Sequence, residues 1–92
     1  SDLNLESVRE QINEIDSELV KLLNRRAELA LEVRKFKPRV LDKEREKQVI
    51  ENVLPLASDL LDKAFIQEMF ENIMTECRRI QANEYGDDAN FE

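Results

Sequence analysis

Between Leu5 and Phe36 the residues Leu5, Val8, Ile12, Ile15, Leu19, Leu22, Leu29, Val33 and Phe36 recur at steps of three and four, broken by a single step of seven. This is a heptad seam, the pattern of a helix that packs lengthwise against another helix. Leu23, Ala27 and Ala30 widen the stripe. The seam predicts one helix from about Leu5 to about Lys37, roughly 50 Å long at 1.5 Å per residue. The 55 residues beyond Lys37 cannot cover such a rod. The spacing therefore predicts a homodimer in which the long helices of two chains pack against each other. Pro38 ends the helix, because the residue before a proline is pushed out of the α region.

The remainder also reads as helix. One glycine and two prolines in 92 residues, among many Glu, Lys, Leu, Ala and Arg, make an all-α composition. A second helix is expected from an N-cap near Asp42 to about Leu54–Ala57, where Pro55 ends or kinks it. A third starts near Asp62 and runs through Phe65, Ile66, Met69, Phe70, Ile73, Cys77 and Ile80 to about Asn83. The closing "EYGDDANFE", residues 84–92, is acidic, has no stripe and is expected to be a disordered tail. Residues 1–92 are read as a single domain of three helices.

Several chemistries are excluded. Cys77 is the only cysteine, so no disulfide forms within the chain, and without histidine there is no Cys/His zinc site. The usual general base near neutral pH is also missing, which removes histidine-assisted serine or cysteine catalysis. No metal is expected. Fourteen basic against 21 acidic residues give a net charge of −7, which argues against nucleic acid as a partner. A pocket of opposite sign to the surface remains compatible with a small anion. No apolar run reaches the roughly 18 residues needed to span a bilayer. No signal-peptide pattern is present either, so a cytoplasmic location is expected.

Polar residues interrupt all three stripes. Four residues past Leu22 the first seam meets Arg26. Arg45 interrupts Leu41, Val49 and Val53, and Gln81 follows Phe70, Ile73 or Met74, and Cys77. An inward arginine needs an anionic partner. Either Arg26 snorkels to the edge or pairs with a neighbouring carboxylate, both structural roles, or its partner is a ligand. An inward glutamine is, by the same token, either a satisfied core amide or a ligand contact. Arg26 and Lys37 are 11 residues apart, nearly three turns, so they share a face at a separation of roughly 16 Å. Arg9 precedes Arg26 by 17 residues, roughly 25 Å, and meets the same small molecule only if an antiparallel partner helix carries it there. Asp42 and Glu46 lie one turn apart around Arg45. Like charges at that spacing are unfavourable, although Asp42 is also a natural cap and acidic residues suit a helix N-terminus.

Taken in order, these residues resemble a known family. The runs "VREQINEIDSELVKLLNRRAELALEV", "VLDKEREKQVIENV" and "LDKAFIQEMF", followed by Cys77 and Gln81, are similar to the small all-helical bacterial chorismate mutases, the AroQ class. The likeness covers about residues 5–82. Its signature is an arginine, a second 17 residues on, a lysine 11 further, then D-x-x-R-E and a late glutamine. The resemblance implies an intertwined homodimer with shared active sites and the pericyclic rearrangement of chorismate to prephenate in aromatic amino acid biosynthesis. That reaction needs no cofactor and no proton transfer. By position, Arg26 and the partner's Arg9 match the arginines that hold the carboxylates of the dianionic substrate. Lys37 and Gln81 match the donors to the ether oxygen, and Asp42 and Glu46 match the acidic pair around the ring hydroxyl. Arg45 matches an arginine that orients that pair and contacts substrate. Two departures stand out. Cys77 occupies a place where a serine near a substrate carboxylate is familiar, and a thiol is a weaker donor. The loop after Lys37, four residues from Pro38 to Leu41, is also short. Competing readings are an isochorismate-pyruvate lyase or a 4-amino-4-deoxychorismate mutase of the same fold, and a non-catalytic helical dimerisation module.

Overall fold

The computed structural model describes residues 4–37 and 41–85. They form three helices, α1 (Leu5–Val33), α2 (Lys43–Val53) and α3 (Lys63–Tyr85), with a single 3₁₀ turn at Leu54–Leu56 between the last two. The all-α class and the three-helix division follow the sequence reading.

Each helix starts on the polar side chain that its sequence offers. Asn4 is extended, and its side-chain oxygen accepts from the Ser7 N–H at 2.8 Å. Asp42 does the same for Arg45 at 3.0 Å, and Asp62 for Ala64 at 3.0 Å. Such bonds satisfy amides that lack an acceptor in the first turn. Pro55 acts as expected at the end of α2. It has no N–H for the α ladder, and the chain tightens there into the 3₁₀ turn.

Two boundaries differ from the sequence reading. Regular helix in α1 stops at Val33, four residues short of Lys37. Arg34–Phe36 form a turn in which Lys35 N–H donates to Glu32 (3.1 Å) and Phe36 N–H to Val33 (2.9 Å). These are three-residue bonds of the tighter helix type. Apolar spacing carries on to Phe36, but Phe36 is 84% exposed, so no packing holds the last turn in α form. At the other end, α3 continues to Tyr85, so Glu84 and Tyr85 belong to the helix and not to the expected tail. Residues 86–92 of that tail, and 38–40 of the short loop, lie outside the described residues.

α3 is the central element. α1 and α2 each pack on it and, among the described residues, not on one another. The core is small, with Val49, Ile66, Met74 and Cys77 its buried apolar side chains. The molecule measures 61 × 25 × 16 Å. Its radius of gyration is 16.8 Å, against about 12 Å for a compact chain of this length. The seam of α1 explains the difference. Ile12, Ile15, Leu19 and Leu22 are all exposed, and none of the 29 residues of α1 is buried. Among the described residues no helix is long and apolar enough to cross a membrane.

Candidate functional site

A cavity of about 580 Å³ opens between the C-terminal part of α1, the start of α2 and the C-terminal part of α3. Each helix lines it with residues at i, i+3, i+4 and i+7, the spacing of one helical face. α1 supplies Arg26, Leu29, Ala30 and Val33. α2 and its cap supply Asp42, Arg45, Glu46 and Val49. α3 supplies Met74, Cys77, Arg78 and Gln81. Arg34, Lys37, Glu44 and Gln48 complete the wall. Five cations (Arg26, Arg34, Lys37, Arg45, Arg78) face three carboxylates (Asp42, Glu44, Glu46), a net of +2 in a chain whose total is −7.

The stripe interruptions thus converge, and their partners can be read one by one. Arg26 is half-buried, and its Nη1 donates to Cys77 Sγ at 3.2 Å. Of the readings left open, the neighbouring carboxylate is not found: among the described residues no acidic side chain pairs with Arg26. Packing has put a thiol opposite it, so Cys77 faces a guanidinium as acceptor. Arg45 is exposed. Its backbone N–H caps onto Asp42, and its side chain has no carboxylate partner among the described residues.

The two acidic residues are each matched by a cation. The Lys37 ammonium pairs with Asp42 Oδ2, and Arg78 pairs with Glu46 Oε2. A second nitrogen of Arg78 donates to Thr75 Oγ1 at 3.1 Å. These pairs offset the like-charge spacing of Asp42 and Glu46. The Asp42 carboxyl is held below the usual aspartate range, chiefly by the Lys37 hydrogen bond, then by the Arg45 N–H, against a smaller opposing effect of desolvation.

Gln81 is buried, and its Nε2 donates to the Ala30 carbonyl at 2.7 Å. The amide is therefore partly engaged in the core and a cavity wall at once. An NH₂ group has two hydrogens, and the second has no acceptor among the described residues. Arg9 is exposed on α1 and outside the cavity. Within one chain it is too far away, as the helical rise requires.

Sequence reasoning missed Arg34 and Arg78. Arg34 is buried (5% exposed) and Arg78 half-buried. The signal for both was spacing. Arg34 stands four residues past Ala30 and eight past Arg26, and Arg78 four past Met74. Each adjoins another charged residue, Lys35 and Arg79, and such runs read as solvated surface.

Comparison with known proteins agrees with the ordered motif. The family model described as chorismate mutase type II matches residues 8–82. A bifunctional chorismate mutase/prephenate dehydratase of Aquifex aeolicus (strain VF5) is 33% identical over 76 residues, covering 78% of this chain and 21% of that protein. The chain thus spans about a fifth of the length of that relative. No solved structure matches the chain at a significant level.

Proposed function

Because the chain belongs to the type II chorismate mutase family, a family of isomerases, we propose that its cavity binds chorismate and rearranges it to prephenate. One observation carries this reading: a +2 cavity in a −7 chain, with neither Arg26 nor Arg45 in an ion pair with a carboxylate among the described residues. A dianion supplies the charge that the cavity lacks. Guanidinium groups take carboxylates in a two-point fork.

The proposed chemistry is unimolecular. It needs the substrate held compact and the negative charge growing on its ether oxygen stabilised. No proton moves, which suits a chain without histidine. Arg26 holds one carboxylate, its guanidinium oriented by the Cys77 sulfur. Lys37 serves the ether oxygen from one side, and the second amide hydrogen of Gln81 serves it from the other. Asp42 and Glu46 accept from the ring hydroxyl, with Glu46 steadied by Arg78. One preorganised donor of this kind is worth about 10²–10³ in rate.

The same reading includes a homodimer. The accessible surface is 7463 Å², against roughly 5500 Å² for a compact monomer of this mass. The exposed apolar residues of the α1 seam are part of that surface. An antiparallel second chain along that seam covers it and carries the partner's Arg9 toward the cavity.

The test is direct. Purified protein is mixed with chorismate, the loss of chorismate absorbance is followed, and the product is identified by acidification to phenylpyruvate. Rapid loss with prephenate formed is the expected outcome. Turnover of isochorismate or of 4-amino-4-deoxychorismate in its place moves the assignment within the fold. Inertness toward all three rejects an isomerase role for this cavity.

A further inference from the structure

We infer that Arg34 is a positioning residue, which fixes the Lys37 ammonium in the cavity by clamping the Lys37 backbone. The inference deepens the proposed function, since it assigns the group that holds a residue acting on substrate. Lys37 stands four residues past the end of regular α1 and directly before a proline. A lysine so placed stands outside regular helix, the proline only keeps its backbone out of the α region, and its four-carbon stem is flexible.

The structure restrains Lys37 on both sides of its Cα. Its N–H donates to the Val33 carbonyl at 3.2 Å. Its C=O accepts from Arg34 Nη1 at 2.8 Å. The two bonds hold the two peptide planes that flank Lys37, and so set the direction in which its side chain leaves the chain. The last carbonyls at a helix end have no N–H from a following turn, so for Lys37 the Arg34 guanidinium provides the donor that a continuing helix would have provided.

Arg34 suits this task because burial limits its movement. It is 5% exposed and forms part of the cavity wall. A buried guanidinium is costly unless it is well engaged, and its planar fork loses little freedom per bond made. The far end of Lys37 is held as well. Its ammonium sits on Asp42, which is locked by the Arg45 N–H at the start of α2. Arg34, Lys37 and Asp42 thus join the end of α1 to the start of α2 through side chains, where α1 and α2 do not otherwise pack.

The test reads Lys37 through Asp42, without substrate. The Asp42 carboxyl is titrated by carbon-detected NMR in the wild type, Arg34→Met, Lys37→Ala and the double variant. Lys37 and Arg45 are the cations that act on Asp42. Arg34→Met is expected to raise the Asp42 titration midpoint toward its value in Lys37→Ala, and to add nothing in the Lys37→Ala background. Arg34→Lys, which keeps a donor, is expected to restore most of the wild-type value. Arg34→Gln, neutral and shorter, serves if Arg34→Met does not fold, and is expected to behave as Arg34→Met. An unmoved Asp42 midpoint in the neutral variant, or an equal rise in both backgrounds, overturns the inference whatever reaction the protein performs. With chorismate, Arg34→Met is expected to lower kcat by ten- to a hundredfold, the scale of a displacement on the order of 1 Å, with a smaller change in KM and no further loss beside Lys37→Ala. A wild type that does not convert chorismate refutes the proposed function alone, and the Asp42 titration still decides on Arg34.

Discussion

Arg26 stands where the seam of α1 calls for an apolar side chain, and what it touches across the core is a sulfur atom. A residue kept for stability would not be chosen this way, because a half-buried charge without a counter-ion costs free energy. Arg26→Met is therefore expected to leave the urea midpoint unchanged or raised, while turnover of chorismate falls by at least a hundredfold. A stability loss with activity retained contradicts the assignment. Lys37→Ala is expected to lower kcat/KM by about 10²–10³ with circular dichroism unchanged, since the residue lies beyond regular helix. Asp42 yields a pH prediction. Its folded carboxyl titrates below the unfolded value because Lys37 and the Arg45 N–H favour the charged form. The unfolded chain therefore takes up the proton first as pH drops. The stabilisation is fully present above about pH 4, the ordinary aspartate value, and is lost as pH falls through the depressed folded value. Glu76 beside Arg79 contributes with the same sign. Asp42→Asn keeps the cap but not the charge, so its urea midpoint is expected to fall less steeply below pH 4 than that of the wild type. Identical slopes would exclude Asp42 as a source of acid sensitivity.

Helices of this chain begin where capping side chains stand; the caps at Asp42 and Asp62 were legible in the sequence, while the start of α1 was legible from its seam and not from Asn4. α2 shows how much rests on one of them. At 11 residues it is too short to persist without tertiary support, and Asp42 both caps it and pairs with Lys37. Asp42→Ala is expected to cost about 1 kcal/mol more than Asp42→Asn, because asparagine caps as well as aspartate. Denaturant titration of the two variants measures the difference, and equal stabilities would mean the cap contributes nothing. Helix ends were less legible. Apolar periodicity runs through Val33 to Phe36, yet the α ladder stops at Val33. Periodicity reports where apolar side chains fall, not which backbone carbonyls still find a donor. At Lys37 the bond comes from Arg34, and nothing in a hydrophobic pattern marks that.

The molecule as a whole is too long and too exposed for the core it has. The proposed dimer would cover a 29-residue helix that has an apolar stripe and no buried residue. Sedimentation is expected to give a dimer, and Leu19→Glu, in the middle of the seam, is expected to give an inactive monomer. A wild-type monomer with full activity would end the dimer proposal. The proposed sharing of sites makes a sharper prediction. Arg9→Ala and Arg26→Ala should each be inactive, yet a remixed equal mixture should recover about a quarter of wild-type activity, since half the dimers are mixed and each carries one intact site. No recovery after verified exchange means that Arg9 does not serve the partner's cavity.

What the sequence determined by itself was local or periodic: the helical class, the three stripes and their polar interruptions, the capping residues, and an ordered motif that spans three helices. Those follow from spacing along one chain, which dictates the face a side chain occupies. What lies across from that face was decided by tertiary structure. For Arg26 the sequence left a neighbouring carboxylate, the edge of the core and a ligand open, and within the chain it meets Cys77, 51 residues away. Glu46 is matched by Arg78, 32 residues away, and Gln81 spends one amide hydrogen on Ala30, 51 residues away. Which charges are already neutralised and which remain for a ligand is a property of those distances. They are set by how α1 and α2 lie against α3, and helical periodicity says nothing about that register.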